Sequence, residues 1–245
     1  MSGHSKWSNI KHKKEKSDSQ KAKIFTKIGR EISVVVKQGG PDPASNFKLK
    51  DVITKARSVN MPNDNIMRCI KKAAGEGGGD NYEDITYEGY GPKGVAVIVE
   101  TLTDNRNRTG GDMKHYFDKY GGNLGAMGCV SWMFDRKGVI IVSKESGADE
   151  EALMMDALDL GADDFNAEEE YFEILTAPEN FSAVTGGLEE KGYTFESAEI
   201  SMIPQNYTKL TEPDDIKLMN KLLEMLEDND DVQNVWTNLE SDDEE

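Results

Sequence analysis

The side chains best suited to chemistry in this sequence are basic ones, concentrated in its first 72 residues and interleaved with aromatic rings. Residues 1–72 carry 17 Lys and Arg against 6 Asp and Glu, whereas residues 73–245 carry 12 against 40. The two parts therefore have formal charges of +11 and −28, within a chain of net charge −17. Because clustered cations neutralise phosphates, this asymmetry predicts a nucleic-acid-binding segment whose affinity falls steeply with salt.

The candidate contact residues belong to an N-terminal arm and to three helices predicted to follow it. They are Lys6, Trp7, Lys11, His12, Lys13, Lys14, Lys21, Lys23, Lys27, Arg30, Lys48, Lys50, Lys55, Arg57, Arg68, Lys71 and Lys72. The indole of Trp7 can stack on a base, and His12 can contact phosphate. The alternative is a solvated helical face, with the arm docked on the acidic part of the same molecule.

A second candidate contact is a polar run that follows a predicted strand and leads into a predicted helix. It contains Asn105, Arg106 and Arg108. Two Arg side chains beside the exposed amides of a helix N-terminus suit an anion or an RNA phosphate. The alternative is that an Asp or Asn of the run caps the helix, and capping and binding can coexist.

The sequence has no signature of catalysis, metal binding or cofactor binding. The histidines His4, His12 and His115 have neither helical pair spacing nor a nearby Cys, and no calcium-loop order is present. The glycine-rich run 89–94 lacks the phosphate-loop spacing and joins two predicted strands, which favours a tight turn. We therefore predict a non-enzyme with no catalytic residue, metal or cofactor. The alternative function is a small-ligand or protein-interaction module that uses an interdomain cleft, with Arg106 and Arg108 facing a ligand.

The composition of the chain indicates the cellular compartment in which the protein acts. No apolar run approaches the roughly 18–20 residues of a membrane span, and the N-terminal region lacks the apolar segment of a secretory signal. The two cysteines are far apart and form no CxxC motif, which fits a reducing compartment. We expect a cytoplasmic protein with no membrane partner.

Apolar periodicity predicts three amphipathic helices within residues 18–75. Asn46 is the predicted cap of the second helix, and Asn63 or Asp64 that of the third. A strand pair, a helix and a further strand over Cys129–Phe134 should follow.

The remainder of the chain predicts an inserted domain. From Lys137 the order is βαββαβ, with its second helix beginning at Pro178, and this order is ferredoxin-like. A last helix and strand should return to complete the preceding unit. The fold class is thus α+β with three domains, an N-terminal three-helix domain and two α/β domains, the last ferredoxin-like and inserted in the middle one. The expected boundaries are 1–79 for the basic helical domain with its arm, 80–136 plus 206–240 for the middle domain, 137–205 for the insertion and 241–245 for an acidic tail.

Nine runs of residues are ordered along the chain as in one known family. They are Gly3–Trp7, Asn9–Lys13, Phe25–Lys27, Asn60–Pro62, Asp64–Ile66, Tyr87–Pro92, Leu102–Thr109, Gly121–Gly125 and Met202–Pro204. Together they resemble the YebC/PmpR family, which is related to the mitochondrial translational activator of cytochrome c oxidase. The resemblance covers essentially the whole chain. The chain departs from the family pattern at Gly110-Gly111, and these glycines lower the expected stability of the local helix. It also departs over residues 17–22, which have one basic residue fewer than the family pattern and thus one expected phosphate contact fewer.

The resemblance implies three domains around a cleft and no catalytic residues. Members are described as probable DNA-binding transcriptional regulators, whereas mitochondrial and some bacterial relatives act in translation on or near the ribosome, easing synthesis through proline-rich stretches. The expected partner is therefore promoter DNA, or ribosomal RNA and the ribosome, and a monomer is favoured. The residues themselves favour RNA, since 18–75 shows no clear helix-turn-helix spacing and a Lys-rich arm with one Trp suits an irregular RNA surface.

Overall fold

The computed structural model describes residues 18–75 and 81–240, with side chains described from Lys21 onward. The described residues form two compact units. The first contains 18–21, 32–75 and 136–201, and the second contains 22–31, 81–135 and 202–240. No helix in the described ranges has the length and apolarity needed to cross a membrane.

The three predicted N-terminal helices are present as α1 (Asp18–Gly39), α2 (Phe47–Ser58) and α3 (Asn63–Ala74). Asn46 caps α2 as predicted, because its side chain accepts a hydrogen bond from the Leu49 amide at 3.1 Å. The predicted cap of α3 is wrong by one residue or more. Pro62 occupies the cap position, and its carbonyl accepts the first bonds of the helix, which begins at Asn63 itself.

The first unit also contains the ferredoxin-like fold. Its elements are β4 (Phe134–Ser143), α5 (Glu150–Asp159), β5 (Asp164–Ala167), β6 (Tyr171–Thr176), α6 (Phe181–Glu190) and β7 (Ser197–Pro204). The sheet order is β5-β6-β4-β7, and β6 is antiparallel to both of its neighbours. This is the strand order that a βαββαβ chain adopts in this fold, so the sequence-based prediction is confirmed.

The second unit contains the other α/β fold. Its elements are β1 (Glu83–Tyr90), β2 (Ala96–Thr103), α4 (Arg106–Lys119), β3 (Asn123–Leu124), α7 (Pro213–Asp228) and β8 (Val232–Thr237). The sheet order β3-β1-β2-β8 places the last strand beside β2, and α4 and α7 pack on a core that includes Val97, Phe117 and Leu222. The ferredoxin-like segment therefore interrupts this fold in sequence, which confirms the predicted insertion. The exact domain boundaries stay a prediction.

Two predicted elements differ in the structure. The segment predicted as a strand over Cys129–Phe134 is a loop with a 3₁₀ turn at Ser131–Met133, and β4 begins at Phe134. The second helix of the insertion begins at Phe181 and not at Pro178. Residues 177–180 form a turn instead, in which the Asn180 amide donates to the Ala177 carbonyl at 3.1 Å.

The segment before β4 forms a loop and not a strand, because a buried carboxylate accepts hydrogen bonds from its backbone amides. Glu88 accepts hydrogen bonds from the backbone N–H groups of Gly128, Val130 and Ser131 at 2.8, 2.9 and 2.8 Å. Burial raises the pKa of Glu88, but these bonds outweigh it, and the resulting pKa lies below its ordinary value. Amides that donate to Glu88 cannot join a strand ladder, which sequence periodicity does not reveal.

We expect Glu88→Gln to lower the free energy of unfolding by about 2–4 kcal/mol, since an amide accepts fewer charge-assisted bonds and turns a donor toward N–H groups. Urea unfolding at pH 7 measures the loss, with Glu83→Gln as the control because Glu83 is exposed on the same strand. Since the folded pKa is depressed, the contribution of Glu88 is full above the unfolded pKa and disappears as pH falls through the folded one. Equal effects of the two substitutions would contradict this role.

Candidate nucleic-acid interface

The arm residues predicted to touch nucleic acid are Lys6, Trp7, Lys11, His12, Lys13 and Lys14, and they lie outside the described residues. The other candidates fall within α1, α2, α3 and the start of α4. They divide into cations held by intramolecular carboxylates and carbonyls, and cations that face solvent.

The basic side chains in residues 22–31 of α1 contact an acidic segment of the same unit, Glu227–Asp231. Lys23 forms an ion pair with Asp228, and Lys27 donates to the Glu227 carbonyl at 2.7 Å. Arg30 donates to the Asp230 carbonyl at 2.8 Å. Spacings of four and three residues place these side chains on one side of the helix. Of the candidates on α1, Lys21 is exposed at its start.

Asp231 is the centre of these contacts. It is 4% exposed, and its carboxylate accepts from Arg30 Nη1, Arg108 Nη2 and Thr109 Oγ1, each at 2.7 Å. Burial raises the pKa of Asp231, but the hydrogen bonds from Arg108, Thr109 and Arg30 outweigh it, so its pKa lies below its ordinary value. This buried carboxylate, directly before β8, thus links α1 to the start of α4.

The run at the start of α4 combines a helix cap, a structural ion pair and one cation that no described residue pairs with. Asn105 is the cap, because its Oδ1 accepts from the Arg108 amide at 3.1 Å. The Arg108 guanidinium donates to Asp104 at 2.8 Å as well as to Asp231. Arg106 is exposed and makes no hydrogen bond or ion pair with any residue of 18–75 or 81–240. Of the two Arg side chains, therefore, Arg106 is the one available to an anion.

We expect Arg106→Ala and Arg108→Ala to separate binding from stability. Arg106→Ala should change the free energy of unfolding by less than about 0.5 kcal/mol and weaken nucleic-acid binding by one phosphate contact. Arg108→Ala should cost about 1–2 kcal/mol, a value reduced because the guanidinium is half exposed. Thermal melts and binding titrations of both variants test this, and equal stability of the two would contradict the assignment.

The candidates on α2 lie beside a contact of that helix with α6. Asp51 accepts from the Ser182 hydroxyl at 2.5 Å, and burial raises the pKa of Asp51. Lys50 is half-buried and lies next to Gly186 of α6. A β-carbon added to Gly186 would lie 2.7 Å from the Lys50 Nζ atom. Lys55 is also half-buried. This side of α2 serves packing within the first unit.

The remaining candidates of α2 and α3 face solvent, and we call them the exposed cations. They are Lys48, Arg57, Arg68, Lys71 and Lys72. Arg68 donates to Asn65 Oδ1 at 2.8 Å, which leaves its other donors available. The side chains of the other four make no hydrogen bond or ion pair within the described part of the chain, although acidic residues outnumber basic ones in the whole molecule. Cations left without carboxylate partners can neutralise the phosphates of a ligand.

An exposed aromatic side chain that sequence patterns did not single out lies on the loop whose amides donate to Glu88. Trp132 is 68% exposed, and its Nε1 donates to the Cys129 carbonyl at 3.0 Å, which fixes the ring. Tyr90 donates to the same carbonyl at 3.0 Å. An exposed, fixed indole can stack on a base or pack against a partner protein. A strand over Cys129–Phe134 places successive side chains on opposite faces, and that pattern alone does not show whether Trp132 is exposed.

The described residues contain no group of three or more His, Cys, Asp or Glu side chains arranged to hold a metal ion. Cys129 is half-buried, and burial raises the pKa of its thiol, which makes it a poor nucleophile.

Comparison with known proteins identifies the family whose sequences this chain matches. Residues 5–76 match the model of the TACO1/YebC protein N-terminal domain, and residues 82–239 match that of the TACO1/YebC second and third domain. A protein of Acetivibrio thermocellus named probable transcriptional regulatory protein is 67% identical over 238 residues, which are 97% of this chain and 98% of the relative. One of the same name from Caldicellulosiruptor bescii is 61% identical over the full length of both chains.

A solved structure agrees with the fold. The crystal structure of a conserved hypothetical protein from Aquifex aeolicus is 45% identical and covers 92% of each chain, with a TM-score of 0.79.

Proposed function

Because this chain belongs to the TACO1/YebC family, we propose that it is a non-enzymatic regulator of gene expression that binds nucleic acid through its basic helices. The relatives named probable transcriptional regulatory proteins support the regulatory role. The observation that carries the binding role is the set of exposed cations on α2 and α3, which have no carboxylate partner among residues 18–75 and 81–240 although the molecule is rich in carboxylates.

Electrostatics restricts where a polyanion can bind. Residues 73–245 have a formal charge of −28 and repel nucleic acid, so contact is confined to the part of the surface that carries the exposed cations. The cations of α1 add little to that surface, because Lys23, Lys27 and Arg30 are held by Glu227–Asp231. Arg106 is a candidate for a separate contact.

We infer that RNA is the favoured ligand. The three helices show no clear helix-turn-helix spacing in their sequence, and the resemblance to translational activators points to the ribosome. A set of exposed Lys and Arg side chains without a recognition helix suits phosphate contacts on a folded RNA better than base reading in a major groove. In this proposal the protein acts in the cytoplasm as a monomer, with promoter DNA as the competing ligand.

Two kinds of experiment, ribosome assays and DNA mobility shifts, decide between the ligands. We expect the protein to co-sediment with ribosomal particles at low salt, to be released by raised salt, and to increase translation of a proline-rich reporter. If promoter DNA is the ligand, mobility shifts will identify a duplex that random DNA does not displace. Failure of the folded protein in both experiments would contradict the nucleic-acid proposal.

A further inference from the structure

The first helix of the ferredoxin-like fold exposes an apolar surface that no described element covers. Met154, Met155 and Leu158 of α5 are 37%, 63% and 46% exposed. Leu158 follows Met154 by four residues and Met155 by three, so the three side chains are neighbours on one side of the helix. We call this set the α5 face.

The α5 face is additional to the apolar side that holds the helix in place. Leu153 and Ala157 are fully buried in the core of the ferredoxin-like fold and satisfy the packing of α5. A second, exposed set of large apolar side chains therefore has no role in that core. Methionine is common on surfaces that accommodate partners, because its unbranched side chain adapts its shape.

The charges around the α5 face have one sign. Glu150, Glu151 and Asp159 of the same helix are exposed and form no ion pair with described residues. Asp156, by contrast, is paired with Lys191 at 2.7 Å and accepts from Tyr193 at 2.8 Å. Residues 137–205 contain 17 acidic and 3 basic residues, so the uncompensated charge extends over the domain.

We propose that the α5 face docks a basic amphipathic segment of a partner protein, with apolar side chains on Met154, Met155 and Leu158 and Lys or Arg on the acidic rim. Charge complementarity identifies the occupant, since this rim repels nucleic acid and attracts cations. An apolar stripe with charges on both sides matches the way a helix lies on a hydrophobic surface. The inference goes beyond the proposed function, because it assigns a protein partner to a surface separate from the exposed cations.

The test uses the full-length protein and a defined probe, a fluorescein-labelled 16-residue peptide with Leu on one helical face and Lys on the other. Fluorescence anisotropy should show binding that weakens with salt. The triple variant Met154→Ser, Met155→Ser, Leu158→Ser should bind at least about tenfold more weakly, because the Leu side chains of the peptide no longer bury apolar surface there. The variant Glu150→Gln, Glu151→Gln, Asp159→Asn should lower the salt dependence.

A matched control distinguishes attraction of the peptide by the acidic rim from attraction by the overall negative charge of the domain. Glu169→Gln, Glu179→Gln, Glu190→Gln removes the same charge from exposed positions elsewhere in the domain, and it should bind the peptide as the unmodified protein does. Equal loss in both charge variants, or no loss in the serine variant, would overturn the proposal. So would tighter binding of a peptide of residues 3–16 of this chain, which would make the arm the occupant. RNA binding should be the same in all variants, so a failure of this inference is distinguishable from a failure of the proposed function.

Discussion

Replacing Asp231 by alanine is expected to lower the free energy of unfolding by about 3–5 kcal/mol, the usual cost of removing one partner from a buried ionic cluster. The Asp231 carboxylate is 4% exposed and accepts from Arg30, Arg108 and Thr109, each at 2.7 Å. Its removal leaves the Arg30 guanidinium without a carboxylate partner among the described residues and leaves Arg108 with Asp104 alone. Urea unfolding followed by circular dichroism measures the change.

Asp230→Ala is the matched control, because Asp230 is exposed and contributes its backbone carbonyl, not its side chain, to the bond with Arg30. It should change stability by less than about 0.5 kcal/mol. The pKa of Asp231 in the folded protein lies below its ordinary value, so its contribution is full above the unfolded pKa and is lost as pH falls through the folded pKa. The difference between the wild type and Asp231→Ala should therefore shrink in acid, and a constant difference would contradict the ionic role.

The second large effect is expected in binding. Lys71→Glu with Lys72→Glu should lower RNA affinity by roughly ten- to hundredfold at low salt, because two phosphate contacts are replaced by repulsion. The slope of log K against log salt should become shallower by about 1.4, since each phosphate neutralised on single-stranded nucleic acid adds about 0.7 to that slope. Both residues are exposed in the last turn of α3, so folding should be little affected. Filter binding at several salt concentrations gives affinity and slope together.

The control for this pair is Lys114→Glu with Lys217→Glu, which changes the net charge equally at exposed positions of the acidic part of the chain. If net charge alone governs binding, the two double variants will lose the same affinity. We expect the control to retain its slope. An unchanged slope in the Lys71, Lys72 variant would remove α3 from the interface.

The fold was largely predictable from local patterns. Apolar periodicity located the helices, and the order of elements after Lys137 was sufficient to predict the ferredoxin-like insertion. The strand predicted over Cys129–Phe134 was wrong because a distant side chain determines the backbone there. Glu88 takes the amides of Gly128, Val130 and Ser131, and no pattern within 129–134 contains that information.

The candidate site was less predictable, because the sequence does not show which of its cations are paired. Nothing in the local sequence distinguishes the paired cations Lys23 and Arg30 from the cation Lys71, which pairs with no described residue. Lys23 and Arg30 nevertheless contact residues that lie 200 positions or more further along the chain. The charge difference between the two parts of the sequence suggests such pairing in general. Only the structure identifies Glu227–Asp231 as the segment involved.

In-cell crosslinking followed by sequencing of both RNA and DNA tests the central claim most directly, with the wild type compared with the Lys71→Glu, Lys72→Glu variant. We predict that the wild type recovers RNA, with ribosomal RNA enriched, and that the variant recovers much less. Recovery of promoter DNA in place of RNA would contradict the RNA assignment. Equal recovery by both proteins would contradict the claim that the exposed cations bind nucleic acid.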